Sequence, residues 1–282
     1  MAGLVPAIHV LLRGGKDVDA RHKARHDVEG DMEGNELTGK VAIVTGSGRN
    51  IGRAIALALA EDGASVVVNS RGNKDEAKAV VREIETVGQK AIVHVGDIAD
   101  PAAVQAMVEL AMAEFGRIDI LVNNAALRRE KPFAEMTYAE WREVMNVILD
   151  GTFHCAKACL PHLKASGTGT IVNIGGLSAH TGASDRAHVV TAKAGIIGFT
   201  RALAHDLAPD GITVNCVVPG IIGTPRPRNT PEPAHHLIHR TISGERGKPE
   251  DVAAAVRFLC GPAARYINGQ AIHANGGAYL GG

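Results

Sequence analysis

From Val41 onward, short apolar runs alternate with amphipathic stretches, regularly enough to predict the elements one by one. VAIVT (41–45) is apolar at consecutive positions, the pattern of a strand buried on both faces in a parallel sheet. IGRAIALALAEDG (51–63) follows as a helix closed by Gly63. The pairing repeats with SVVVN (65–69) and NKDEAKAVVREIETVG (73–88), then with AIVHV (91–95) and PAAVQAMVELAMAEFG (101–116), where Pro101 suits a first helical turn. IDILVNN (118–124) predicts a fourth strand, followed by a helix around AEWREVMNVILDGTFHCAKACLPHL (139–163). TIVNIGG (170–176) predicts a fifth, followed by a long helix near RAHVVTAKAGIIGFTRALAHDLA (186–208). ITVNCVVPG (212–220), a Pro-rich loop, the helix EDVAAAVRFLCG (250–261) and a short strand in QAIHANGG (270–277) complete the series.

Strict strand–helix alternation implies an α/β fold, a doubly wound parallel sheet with helices on both faces. Ligands of such sheets sit at the carboxyl ends of the strands. Residues 37–282 read as one domain, with neither an internal repeat nor a second-domain linker. Residues 1–36 differ: KDVDARHKARHDVEGDMEGNE is almost wholly polar and cannot bury enough surface to offset its ordering entropy, so a disordered extension is expected. A start at Met32 would leave the domain whole.

Composition narrows the class. The chain has 282 residues, and its 30 basic and 30 acidic residues balance, so nothing points to nucleic acid or an anionic membrane. No apolar run reaches the ~20 residues of a spanning helix, and no secretory signal is expected at the N-terminus. Cys155, Cys159, Cys216 and Cys260 form no CxxC pair, so neither a metal site nor a disulfide framework is expected, and a reducing cytoplasmic setting follows.

The first strand ends in TGSGRNIG, Thr45 to Gly52. A tight turn there aims backbone N–H groups and a helix N-terminus at one point, which suits a pyrophosphate; Gly46, Gly48 and Gly52 permit the close approach. Alone this is a weak signal, but its place after the first strand of a βαβ unit strengthens it.

Together with DILVNNAA (119–126), GDIAD (96–100), VVPGIIGTP (217–225) and INGQAIHANGGAYL (267–280), this turn resembles the short-chain dehydrogenase/reductase family over about Leu37–Gly282. The resemblance implies a Rossmann-type oxidoreductase, working on a small molecule and assembled as a homo-oligomer, commonly a tetramer. It assigns the cofactor to Gly46, Arg49, Asn50, Ile51, Gly52, Ser70, Arg71, Asp97, Ile98, Asn123, Ala125, Lys193, Pro219, Gly220, Ile222 and Thr224. Asn50 stands where the family usually has Gly, and Asn tolerates left-handed backbone better than other side chains. Relatives that prefer NAD place an acid at the end of the second strand. This chain has Asn69–Ser70–Arg71, with Arg49 nearby, so NADP(H) is expected and NAD(H) is the alternative.

The family's Asn–Ser–Tyr–Lys set is mostly gone. Lys193 is present, but Val189 takes the Tyr position, Gly176 the Ser position and Ile148 the Asn position. His188 is the first candidate for a replacement acid/base, with His180 and Ser178 behind it. Arg186, with Arg128 or Arg129, could clamp an anionic substrate. Three readings follow in order: an NADP(H) oxidoreductase with altered proton chemistry, an inactive NADP(H)-binding sensor, and a non-redox enzyme on the same scaffold.

Overall fold

The computed structural model describes residues 35–225, 236 and 240–281. The expected disordered extension lies outside these residues as far as residue 34, as does most of the Pro-rich loop. The compact unit takes in Asn35 and Glu36. The Glu36 backbone N–H donates to Asp62 Oδ1 at 3.3 Å, and Leu37 beside it is fully buried.

Seven parallel strands form one sheet in the order β3-β2-β1-β4-β5-β6-β7. They are β1 Val41–Val44, β2 Ser65–Ser70, β3 Ala91–Val95, β4 Ile120–Asn123, β5 Thr170–Ile174, β6 Thr213–Pro219 and β7 Ala271–Ala274. The helices are α1 Asn50–Glu61, α2 Lys74–Thr86, α3 Pro101–Phe115, α4 Tyr138–Met145, α5 Gly151–Ala165, α6 Ser178–Thr181, α7 Ala187–Leu207 and α8 Pro249–Cys260.

The period of two along each strand divides the core. Ala42, Val44, Val66 and Val68 face one layer, with α1, α2 and α8. Ile43 and Val67 face the other, with α3, α5 and the C-terminal part of α7. Burial on both faces is why these strands are apolar throughout. Local chemistry sets the helix starts: the Asn73 side chain accepts from Glu76 N–H, Asp100 accepts from Ala102 N–H, and Thr137 with Glu140 closes a capping box on α4. The order reverses at β1, whose neighbours are β2 and β4, so a crevice opens there at the carboxyl ends.

The helix expected over 139–163 is interrupted. Between α4 and α5 the chain makes a π-helical turn, Asn146–Asp150, with Ile148 at its centre. One guanidinium nitrogen of Arg142 spans the turn, donating to Asn146 Oδ1 at 2.6 Å and Asp150 Oδ2 at 2.7 Å. Such a bulge inserts one residue per turn without breaking the apolar stripe, so hydrophobic spacing alone does not reveal it. Residues 178–181, expected as loop, form the short helix α6.

Candidate active site

The phosphate turn is built by crowding. Gly46 has φ +62°, and a side-chain carbon there would lie 2.9 Å from Ala125 Cα. At Gly52 the same carbon would meet Gly46 O at 2.3 Å and Asn124 Nδ2 at 2.5 Å. Asn50 takes φ +51°, the left-handed backbone the sequence demands at that position. Ile51 is buried behind the turn.

Side chains lock this turn to its neighbours. Asn69, at the end of β2, accepts from Gly46 N–H at 3.1 Å and donates to Gly96 O at 3.1 Å, joining the ends of β1, β2 and β3. Thr45 Oγ1 accepts from the backbone N–H groups of Asn124 and Ala125, each at 3.0 Å. Asn124 Nδ2 donates back to Thr45 O and Gly46 O at 2.9 and 3.0 Å. Sequence reasoning did not single out Asn69 or Asn124 as braces. The signal was there in Asn69, a polar residue ending an otherwise apolar strand.

The other expected cofactor residues lie along the same edge. Arg49 and Arg71 are exposed and Ser70 is half-buried, at the ends of the paired strands β1 and β2. After β3, Asp97 Oδ1 accepts from Ala99 N–H at 3.0 Å and Ile98 is buried against Gly151. Asn123 is buried at the end of β4, where its Nδ2 donates to Asn173 Oδ1 at 2.9 Å; Asn173 in turn donates to Thr200 Oγ1 at 2.9 Å. After β6, Leu177 N–H donates to Pro219 O at 3.0 Å. Gly220 lies so close to β7 that a side-chain carbon would sit 2.7 Å from Asn275 Cα. Ile222 bridges to Gly247, and Thr224 Oγ1 accepts from Arg128 Nη1 at 3.4 Å.

The catalytic half is different. Lys193 is buried, at 8% exposure, and its ammonium donates to Ile174 O at the end of β5. Burial lowers its pKa to about 8; the Cys216 thiol opposes the shift, while Arg128 and Arg186 add to it. Val189 and Ile148 are buried in one apolar cluster with Val144, Ala192, Ile196 and Cys216. Gly176 is open: the nearest atom to where its Cβ would sit is Lys193 Cγ at 3.7 Å.

Ser178 is buried at the first position of α6. His188 has no solvent exposure, and neither ring nitrogen meets the geometry of a hydrogen bond to any of the described residues. Burial first, then Arg186 and Arg129, hold its pKa below the ordinary value, against the backbone at Arg186 and Glu140. His180 stacks with His273 and Tyr279, at ring distances of 4.6 and 5.0 Å, and desolvation lowers its pKa as well. The adjacent Arg128 and Arg129 diverge. Arg129 pairs with Glu143 at 3.2 Å, while Arg128 reaches Thr224. Among the described residues, no group of three His, Cys, Asp or Glu side chains could hold a metal ion, and no helix is long and apolar enough to cross a membrane.

Seven parallel strands, a crowded glycine turn at the switch point and a lysine buried beside the fifth strand define a Rossmann-type nucleotide-binding protein. Residues 46–279 match the family model described as enoyl-(acyl carrier protein) reductase. The chain is 38% identical over 242 residues to the 3-oxoacyl-[acyl-carrier-protein] reductase FabG of Staphylococcus aureus, covering 86% of this chain and 98% of that one. It is 39% identical over 245 residues to the (2S)-[(R)-hydroxy(phenyl)methyl]succinyl-CoA dehydrogenase subunit BbsD of Thauera aromatica, covering 86% and 98%. A short chain dehydrogenase from Burkholderia cenocepacia, solved in complex with NADP, superimposes with a TM-score of 0.81 at 39% identity, covering 86% and 99%. The chain belongs to the short-chain dehydrogenase/reductase family of oxidoreductases.

Proposed function

We propose that this chain is an NADPH-dependent reductase of small substrates bearing an activated double bond, an imine or a conjugated alkene, rather than a reductase of simple ketones. The observation that carries this reading is the contrast within one site. The cofactor cradle is nearly complete, with Asn50 in a position where the family usually has Gly, while the positions of Tyr and Asn are filled by Val189 and Ile148 in an apolar cluster. Hydride transfer needs a positioned nicotinamide, and an activated acceptor demands less of an acid than a ketone does.

NADPH is favoured over NADH because Arg49, Ser70 and Arg71 stand where an acid would recognise the 2′-hydroxyl, and two guanidinium groups suit a phosphate. The solved relative bound to NADP supports the same choice. The cradle that would hold the cofactor is Gly46–Gly52, Asp97–Ile98, Asn123–Ala125, Lys193 and Pro219–Thr224. An anionic group on the substrate is the natural partner of Arg128 and Arg186, which act on Lys193 from two different elements. His188 and Ser178 remain the replacement acid/base candidates from sequence, with His188 lying in an enclosed setting.

The chain assembles as a homo-oligomer, a tetramer in our reading. Phe153 on α5 is 49% exposed and offers an apolar contact to a second copy. Light scattering that returns a monomer at micromolar concentration refutes this. The four cysteines are free and buried, in keeping with a reducing cytoplasm.

The sensor reading is favoured by one observation, the loss of polar groups from Val189, Ile148 and Gly176 together. The test is nicotinamide absorbance against a panel of imines, enones and ketones, alongside calorimetry with NADPH. Turnover of an imine or enone with negligible turnover of ketones supports the reductase. NADPH binding without turnover of any class supports the sensor, and fast ketone reduction overturns the reading of the missing Tyr.

A further inference from the structure

We propose that Lys193, besides holding the nicotinamide ribose, is itself the group that gives the substrate its proton. The inference rests on the reductase reading above and names the acid of that same site.

In relatives with the complete set, a phenol and a hydroxyl stand between this lysine and the substrate oxygen. Here neither position carries a polar atom. Val189 precedes Lys193 by four residues, about 40° round the helix, and its methyls are buried with Ile148. Gly176 has no side chain, and the space beside it is bounded by the Lys193 stem at 3.7 Å. An ammonium has three N–H donors, and Ile174 O takes one. With NADPH bound, the remaining N–H groups would be divided between the ribose and the substrate.

The groups that act on this amine come from every side: the Ile174 carbonyl from β5, the Cys216 thiol from β6, Arg128 from the loop after β4 and Arg186 at the start of α7. Among the described residues no carboxylate acts on this amine as an ion-pair partner would. Burial and the two guanidinium groups bring the amine to about 8, close to where a general acid works best. His188, five residues before Lys193, lies about 140° round the helix from it. It answers to Glu140 and Arg129, and shares Arg186 with Lys193.

When bound, NADPH supplies the hydride and is oxidised to NADP⁺. The substrate carbon gains that hydride, the π electron pair moves to the heteroatom, and the heteroatom takes a proton from the Lys193 ammonium. The neutral amine regains its proton from water after the product leaves.

The test is the pH profile of kcat, with NADPH affinity measured separately, for the native chain and for Lys193→Arg and His188→Ala. The native rate should fall about tenfold per pH unit above the pKa that the Lys193 amine has in the complex. Lys193→Arg keeps the charge beside the ribose but cannot release a proton. It should still bind NADPH while losing about 10²–10⁴-fold in kcat, with no alkaline limb. A native-like rate or limb in Lys193→Arg, or a limb that disappears in His188→Ala, overturns the proposal. If Lys193→Arg does not fold, Lys193→Ala with a series of alkylammonium ions replaces it. Rescue that tracks the acidity of the added ammonium supports the proposal, and rescue indifferent to acidity overturns it. Turnover of no panel compound by a native chain that binds NADPH overturns the reductase reading together with this one, whereas turnover with the wrong pH pattern overturns this one alone.

Discussion

At the ends of β1 and β2, polar side chains spend their hydrogen-bonding capacity on neighbouring backbone: Asn69 on Gly46 and Gly96, Thr45 on Asn124 and Ala125, Asn124 on Thr45 and Gly46. Between α4 and α7, the facing positions carry methyl groups, and Ile148 and Val189 share an apolar cluster. The two halves lie along the same row of strand ends, yet they answer to different pressures. A pyrophosphate cradle is useful only if rigid, and its buried polar groups must all find partners. A proton relay is useful only with a substrate that needs it, and buried Asn and Tyr cost desolvation when unpartnered. Ile and Val at these positions carry no such cost, and the glycine turn after β1 rests on other elements.

The largest expected effect comes from rebuilding the second half. Ile148→Asn, Gly176→Ser and Val189→Tyr together should raise ketone reduction by about 10²–10⁴-fold, the usual worth of a general acid. Gly176→Ser should be accepted without strain, since only Lys193 Cγ comes near, at 3.7 Å. Val189→Tyr must displace part of the cluster. Steady-state NADPH oxidation with simple ketones checks this; no gain in a folded triple variant would mean that the two halves are more tightly coupled than the structure implies.

Damage to the first half should be smaller but sharper. Gly52→Ala forces a carbon to 2.3 Å from Gly46 O, which only a shift of the turn can relieve. A cost of roughly 1–3 kcal/mol weakens NADPH binding about tenfold to a hundredfold. Calorimetry reads this directly, and native affinity would show that the turn is not rigid.

Arg71→Asp tests the rim of the cradle. Loss of one charge-assisted contact, worth about 1.5–3 kcal/mol, should reduce the preference for NADPH over NADH by about tenfold or more. An unchanged ratio would move the phosphate contact to Arg49.

The smallest effect concerns His188. Neither of its buried ring nitrogens has a partner among the described residues, so His188→Leu should stabilise the fold by about 1 kcal/mol or leave it unchanged. The pH dependence has a definite sign. His94, His180, His188 and His273 all titrate below the ordinary value, so the unfolded chain binds more protons as pH falls through 6.5. Stability should therefore decline below about pH 6.5, less steeply in His188→Leu. Denaturant melts at several pH values distinguish this from an equal decline in both proteins.

Much of the fold was legible because the signals are local. Consecutive apolar residues marked β1 and β2, and the turn after β1 announced itself through Gly46, Gly48 and Gly52. The expectation that Val189, Gly176 and Ile148 stand at the Tyr, Ser and Asn positions came from the same local source, their spacing to Lys193. The π-turn at Asn146–Asp150 was not legible, because one inserted residue leaves the apolar stripe nearly unchanged. Asn69 could have been suspected as a brace, but its partners Gly46 and Gly96 lie 23 and 27 residues away.

The sequence by itself determined the order of the strands and the place of the glycine turn after the first of them, and it carries the expectation that Val189, Gly176 and Ile148 occupy the positions of Tyr, Ser and Asn, because each depends on residue type at short spacing. Only the tertiary structure decided what fills the vacated positions and what surrounds the groups that remain. Burial is a property of neighbours brought from distant parts of the chain. It encloses His188 with no partner for its ring among the described residues, and it brings Arg128, Arg186 and Cys216 around Lys193, where loss of water lowers the pKa of the amine to about 8.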